Sequence, residues 1–314
     1  MRILAHIHTF NDEEIIDRTL QALLDQTYPV NEIVLVDNAS RDRTLDRSFP
    51  KQVVIIRHSE NQGTSGAVAT GMEYALDKQY DWIYILDADS LPRKDALQRL
   101  IEFYEGLPLK EQERIWRLSS LPLEAPHGHP RHGIRFTTEG CEVVKPEMGR
   151  LVYECDGTIW SGSLYKLSAV RRLGLPNRDY VLDWGEYEYG FLGKTQGYYA
   201  FMHQGSIIDH SVGDVELPAY AFKVGARTIR IARMRVPAIR LYYIFRNTLY
   251  FFLYVYHKGN ALHYLRQPSG SPNIGYLLKV LVRVILLSEH RAKDLWACFR
   301  GTYDGLRKNL HHRY

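Results

Sequence analysis

Within the first hundred residues, short apolar runs alternate with stretches of helical periodicity, and that alternation leaves few folds open. Ile3 to Ile7 reads as a strand, and Glu13 to Leu24 places Ile15, Ile16, Leu20, Leu23 and Leu24 at helical spacing before the turn at Tyr28-Pro29. Glu32 to Val36 and Val53 to Arg57 are β-rich, Ser65 to Leu76 is helical with small residues suited to packing on a sheet, and Trp82 to Leu86 is a fourth strand. A parallel pair of strands cannot be joined by a tight turn, so strand, helix and strand at this spacing require right-handed crossovers and an α/β sheet.

The pattern loosens beyond a helix at Arg93 to Tyr104. Residues 105–150 hold five prolines and read as an irregular excursion, a candidate lid. Tyr153 to Trp160 and Tyr199 to Ile208 read as strands around a helix at Glu186 to Gln196, and the chain from Ala219 onward reads as helical, with a polar break at residues 267–272. The expected division is a domain at 1–218 and a helical region at 219–314.

Charge divides the chain near the same place. Residues 223–314 carry 17 Lys plus Arg against 3 Asp plus Glu, whereas the first 222 carry 23 against 33. An acidic body with a basic, aromatic-rich tail points to an anionic partner for the tail. No run of 18 uncharged apolar residues occurs; Val236 to Tyr256 comes nearest, but Arg240 and Arg246 interrupt it. Three scattered cysteines fit a reducing compartment better than a disulfide framework, and the first residues, MRILAHIHTFND, contain no secretory apolar core.

Ligands of open α/β sheets bind at the carboxyl ends of the strands. Here those ends run into His8-Thr9-Phe10-Asn11, Asp37-Asn38-Ala39-Ser40 and Asp87-Ala88-Asp89-Ser90, and Asn61-Gln62-Gly63-Thr64-Ser65-Gly66 opens a helix between them. Each could be an ordinary turn or cap; four in order within 90 residues are not explained by turn chemistry. No GxxxxGK[ST] and no GxGxxG is present, so neither a P-loop nor a dinucleotide fingerprint applies. His6 and His8 read as strand residues, and His127, His129 and His132 as loop residues without a metal framework.

The segments HTFND, EIVLVDNASRDRT, ENQGTSG and ILDADS resemble those of the family 2 glycosyltransferases, inverting enzymes that use sugar nucleotides. DGTIWSGSLYKLSAVRRLGLPNRDYVLDWGEYEYG, IIDHSVGD, YYIFRN and WACFRGTYDGLRKNL are similar to the bacterial rhamnosyltransferases and galactofuranosyltransferases of that family. The resemblance implies a GT-A fold: a Rossmann-like, nucleotide-sugar-binding α/β domain with a mixed sheet and a helical C-terminal extension. It implies that Thr9, Asn11, Asp37, Asn38, Asn61, Gly66, Asp87 and Ala88 line the donor site, with Asp37 accepting from a base imide. It also implies that Asp87, Asp89 and His210 hold a divalent cation, Mn2+ or Mg2+. The catalytic base falls at Glu186, a glutamate where relatives carry aspartate, with Asp183 as rival. Trp160, Ser161, Gly162, Trp184 and Gly185 shape an acceptor subsite, the two tryptophans as stacking platforms.

The implied donor is a UDP- or dTDP-sugar and the implied acceptor a polyprenyl-diphosphate-linked glycan, handled at the inner face of the plasma membrane. The tail, residues 219–314, fits that setting as an interfacial region, with Arg227, Arg230, Arg233, Arg235, Arg240 and Arg246, the aromatics from Tyr242 to Tyr256 and the apolar run Leu277 to Leu287 against anionic lipid, or as a homodimer contact. No nucleic-acid motif accompanies its basic residues. Two further readings stay open: another family 2 hexosyltransferase using a UDP-sugar, and a catalytically silent nucleotide-sugar binder.

Overall fold

The structure, a computed structural model, describes residues 1–125, 127–138, 140–146, 149–211, 219–224, 227–232, 236–259, 274–311 and 314. The chain forms two compact units, one of residues 1–137, 142–181 and 185–211, the other of 138–141, 182–184 and 212–314. The boundary expected at residue 218 and the polar break at 267–272 lie outside the described residues, as do Arg233 and Arg235.

The first unit opens as its sequence pattern requires: β1 (Ile3–Thr9), α1 (Ile16–Leu24), β2 (Glu32–Asp37), β3 (Val53–Arg57), α2 (Gly63–Asp77) and β4 (Trp82–Asp87). β4, β1, β2 and β3 lie parallel in that order. Successive side chains of a strand point to opposite faces. Ile3, Ala5, Ile7, Trp82, Tyr84 and Leu86 therefore join one core layer with α1, and Leu4, Val34, Val36, Ile83 and Ile85 join the other beneath α2. His6 shares the α2 face, fully buried where a side chain on Gly71 would overlap its ring, and burial holds its imidazole well below the ordinary value.

β5 (Ser90–Pro92), α3 (Ala96–Glu105) and the short α4 (Leu109–Gln112) follow. The segment expected to be an irregular excursion instead supplies β6 (Ile115–Ala125), an internal strand of the ten-stranded sheet. The reading failed because β6 is covered on both faces and so shows no alternation. Its polar residues pair internally: Ser119 Oγ lies 3.2 Å from Ser163 Oγ, and Ser120 Oγ 2.7 Å from Ser206 Oγ. The rest of that stretch adds β7 (His129–Pro130), β8 (Gly133–Phe136) and β9 (Cys141–Val144). The strand expected at Tyr153 to Trp160 shortens to β10 (Val152–Glu154), followed by β11 (Ser163–Lys166) and α5 (Leu167–Leu173).

β11 joins β4 and β6 antiparallel, which makes the sheet mixed. α6 (Gly185–Thr195) leads into β12 (Tyr199–Ser211), which runs parallel to β6 and pairs β5 antiparallel, so that His210 faces Ser90 across the ladder.

The second unit is less helical than expected, since Ala219–Val224 (β13) and Arg227–Ala232 (β14) form an antiparallel hairpin. α7 (Ala238–Tyr250) continues as a π-helical segment, Phe251–Tyr256, and α8 (Ile274–Leu287) and α9 (Arg291–Leu306) complete the unit. One part of the tail expected to lie on a membrane is core instead: Leu241, Tyr242, Tyr243, Phe251 and Phe252 are buried and α9 packs on α7. Arg246 is fully buried too, giving Nη1–H to Leu310 O at 2.8 Å and covering the Tyr243 ring at 4.6 Å. Among the described residues no helix is long and apolar enough to cross a membrane.

Candidate active site

Three carboxyl ends of parallel strands meet a returning antiparallel strand, and the polar residues collect there. β4 ends in Asp87, and two residues later Asp89 precedes β5; β12 brings His210 to Ser90. His210 Nδ1 lies 3.4 Å from Asp89 Oδ1, 4.0 Å from Asp87 Oδ2 and 2.8 Å from Ser90 Oγ. The ligand atoms of Asp87, Asp89 and His210 all fall within 4.8 Å of one another, a spacing that suits one divalent cation. The three residues expected to form a metal site are thus brought together by segments 120 residues apart in sequence.

The two carboxyls differ electrostatically. Burial pushes the Asp89 carboxyl up to about 6; His210 opposes this, while Asp87 and then Asp12 add to it. Burial acts the same way on Asp87, but His8 and then His210 outweigh it and hold that carboxyl below the ordinary value. His8 is the residue sequence reasoning missed: its Nε2 is 3.0 Å from Asp87 Oδ1. The contact follows from register, since His8 pairs with Asp87 between parallel β1 and β4. Ser161 also positions Asp87, its Oγ accepting from the Asp87 N–H at 3.0 Å, and left-handed Gly162 ties its own N–H to Ile85 O at 2.8 Å.

At the ends of β1 and β2, backbone and side chains lock two loops together. Thr9 donates to Asp12 Oδ2 at 2.8 Å. Asn11, in the left-handed region, gives its N–H to Ser40 Oγ at 2.9 Å and accepts from Arg41 N–H at 2.8 Å. Asp37 is fully buried, accepts from Ser40 N–H at 3.1 Å and lies 3.3 Å from Arg57 Nε. Asn38 donates to Gly63 O at 3.1 Å and meets His58 Nδ1 at 2.9 Å, while Asn61 Oδ1 accepts from Gly63 N–H at 2.8 Å. Gly63 has φ +73°, and a side chain there would overlap the Val181 carbonyl, so the loop closes over α2 only with glycine. The Gly66 carbonyl accepts from Arg178 at 3.1 Å, and the Ala88 carbonyl from Thr19 at 2.6 Å.

Glu186 lies in the first turn of α6 on the face it shares with Tyr189, Gly190 and Gly193, all buried. That face packs on Trp160, Tyr165 and Trp116 of the sheet layer. Burial, with Glu186 a lesser contributor and Arg117 opposing, raises the Tyr165 phenol. Gly185 starts the helix against Ser65.

The two tryptophans expected to be stacking platforms are both buried. Trp160 is 3% exposed inside the sheet core, and Trp184, 7% exposed, stacks on Phe251 at 5.2 Å with Phe252 edge-on. Each is a packing residue because its flat face is already covered. Asp183 and Trp184 are consecutive left-handed residues, a conformation that costs non-glycine residues energy. Asn247 holds them by donating to Leu182 O at 2.7 Å and Asp183 O at 3.0 Å, and the Asp183 carboxylate pairs with Arg240 at 3.0 Å.

Glu188 faces away from Glu186 on α6. Burial pushes its carboxyl up to about 7, with a hydrogen bond involving Asn177 opposing and Asp179 adding. A raised carboxyl pKa means the folded state penalises the ion, so the cost is complete above about 7 and vanishes below the ordinary 4.5. Glu188→Gln is therefore expected to be more stable than the parent above neutrality, by roughly 1–2 kcal/mol. Thermal denaturation against pH checks this: the gap closes as the pH falls through about 7 toward 4.5.

A mixed sheet of parallel and antiparallel strands with a helical C-terminal extension agrees with the GT-A fold. Residues 5–109 match the model of glycosyl transferase family 2. They align with an undecaprenyl-phosphate mannosyltransferase of Micrococcus luteus, 32% identical over 107 residues, which is 32% of this chain and 44% of that protein. An uncharacterized protein of Methanocaldococcus jannaschii is 29% identical over 141 residues, 43% of this chain and 56% of its own length. The chain thus spans about half the length of these curated relatives. A mannosyltransferase from Pyrobaculum calidifontis, solved with GDP-Man and Mn2+, superposes with a TM-score of 0.57 at 14% identity, covering 98% of this chain and 87% of that one.

Proposed function

We propose that the chain is an inverting, divalent-cation-dependent glycosyltransferase that moves rhamnose or galactofuranose from a dTDP- or UDP-sugar to a lipid-linked glycan acceptor. In this reading it works on surface polysaccharide at the cytoplasmic face of the plasma membrane. The observation that carries the reading is the convergence of Asp87, Asp89 and His210 at the strand ends of a family 2 domain. Two carboxylates and one imidazole suit Mn2+ better than Mg2+, which prefers oxygen ligands throughout. When bound, the cation neutralises charge on the departing diphosphate.

The protein's own residues supply the rest. Asp37 accepts from the imide N–H that uracil and thymine share, and the loops held by Thr9, Asn11, Asn38, Asn61, Gly66 and Ala88 frame the nucleotide. Ser161 and Gly162 keep Asp87 in place. Glu186 takes the proton of the acceptor hydroxyl as its oxygen bonds to the anomeric carbon; the carbon–oxygen bond to the diphosphate breaks and the nucleoside diphosphate leaves. The pairing of Asp183 with Arg240 favours Glu186 as the base. The name of the Micrococcus luteus relative, an undecaprenyl-phosphate mannosyltransferase, supports a lipid-linked acceptor and also keeps another hexose in view.

Thermal shift with UDP-, dTDP- and GDP-sugars, with and without Mn2+, tests the donor. Stabilisation by a UDP- or dTDP-sugar only with Mn2+ is the expected result. Stabilisation by GDP-sugars alone replaces the donor assignment, and binding without any donor turnover in the presence of acceptor points to a silent binder.

A further inference from the structure

Among the described residues of the second unit, two helices carry large apolar side chains on their surface. On α8, Leu278, Val282, Ile285 and Leu286 recur at helical spacing and are exposed, Leu286 by 63%, while Leu277, Val280 and Val284 fill the buried side. On α9, Trp296, Phe299, Tyr303 and Leu306 form a second exposed stripe opposite the buried Ala297, Gly301 and Asp304. Trp296 and Phe299 are 57% and 61% exposed with ring centroids 5.7 Å apart. Neighbouring helices that both turn large apolar side chains to solvent present a surface that water disfavours, and such patches mark interaction sites.

The charges that border these stripes on the helices are basic. Lys279 and Arg283 border the α8 stripe one turn apart, and Lys293, Arg300 and Arg307 border the α9 stripe at seven-residue spacing. Of the three acids in residues 274–311, Glu289 is exposed in the turn between the helices and the other two are withdrawn from the surface. Asp294 is buried and accepts from Ser288 Oγ at 2.5 Å; Asp304 is buried between Tyr242 OH at 2.8 Å and Arg300 at 3.2 Å. A second copy of this chain is a poor occupant, because two-fold pairing sets like charges against each other. An anionic lipid surface satisfies both features: the stripes enter the headgroup boundary, the aromatic rings sit at the interface, and the basic flanks meet lipid phosphates.

We infer that α8 and α9 form a membrane-docking face for anionic lipid, in which Leu278, Val282, Leu286, Trp296 and Phe299 insert and Lys279, Arg283, Lys293 and Arg307 bind headgroups. The inference rests on the lipid-linked reading above for its purpose only, since the contact itself needs neither donor nor acceptor.

Flotation of the full chain with phosphatidylcholine vesicles, with and without phosphatidylglycerol, tests it with no substrate present. The expected result is recovery with the anionic vesicles at least about tenfold above neutral ones, weakening as salt rises. Trp296→Ser with Phe299→Ser, and separately Lys279→Glu with Arg283→Glu, each reduce that recovery about tenfold, while circular dichroism and nucleotide-induced thermal shift stay at parent values. The docking face is overturned if the parent ignores anionic vesicles or if both variants float as the parent does. It is equally overturned if the parent is a dimer that the serine variant splits while vesicle recovery is unchanged. Retained nucleotide binding without flotation removes this inference alone; flotation without nucleotide binding removes the transferase reading alone.

Discussion

Asp89→Asn is expected to lower Mn2+-dependent donor turnover by about 10³-fold, the scale of several kcal/mol that a cation contributes to a departing diphosphate. The substitution keeps the size of the side chain and removes the charge 3.4 Å from His210, so little else in the turn should respond. Asp87 is a poorer choice for this experiment because its carboxylate also meets His8, and its loss would disturb β1 as well. Two measurements decide the outcome: Mn2+ binding to the protein by calorimetry, and hydrolysis of the sugar nucleotide titrated with Mn2+. Unchanged affinity together with unchanged rate would remove Asp89 from the metal site.

Glu186→Gln is the second large effect. Removing a general base costs about 10²–10⁴-fold, so glycosyl transfer should fall by that factor while the Mn2+-dependent thermal shift with donor stays intact. Glutamine retains the packing of α6 on Trp160 and Tyr165, which separates a chemical loss from a folding one. Single-turnover transfer to an acceptor is the direct readout. A variant at full rate would pass the role to another carboxylate, and the Arg240 contact makes Asp183 a weak successor.

Both experiments depend on how much of the site could be read from residue order. β1 to β4, α2 and the acidic turn were legible because each carries its own period or its own turn chemistry, and both are local properties. The pairing of His210 with Asp87 and Asp89 came from resemblance, not from spacing, since the contact is made by β12 and β5 long after β4. His8 was misread as an ordinary strand residue. Its role depends on the parallel register that sets it opposite Asp87, which no local pattern displays.

Two errors share one physical cause. β6 lies in the stretch whose five prolines read as irregular, yet its polar Arg117, Ser119 and Ser120 are all buried, and the two serines meet Ser163 and Ser206 on other strands. The 236–256 segment was read as interfacial because aromatics and arginines alternate there, yet α9 covers it and Arg246 finds carbonyl and aromatic partners inside. In both cases the sequence states how polar a residue is, and only the fold states whether a partner meets it.

Residue order alone therefore determined an α/β domain with polar strand ends, an acidic turn after β4 and a basic final third. Tertiary structure decided the mixed sheet, the three-residue convergence at the end of β4, the burial of both tryptophans and the placing of the exposed apolar stripes on α8 and α9. Periodicity and turn chemistry act over a few residues, whereas register, antiparallel return and helix packing join segments far apart in the chain.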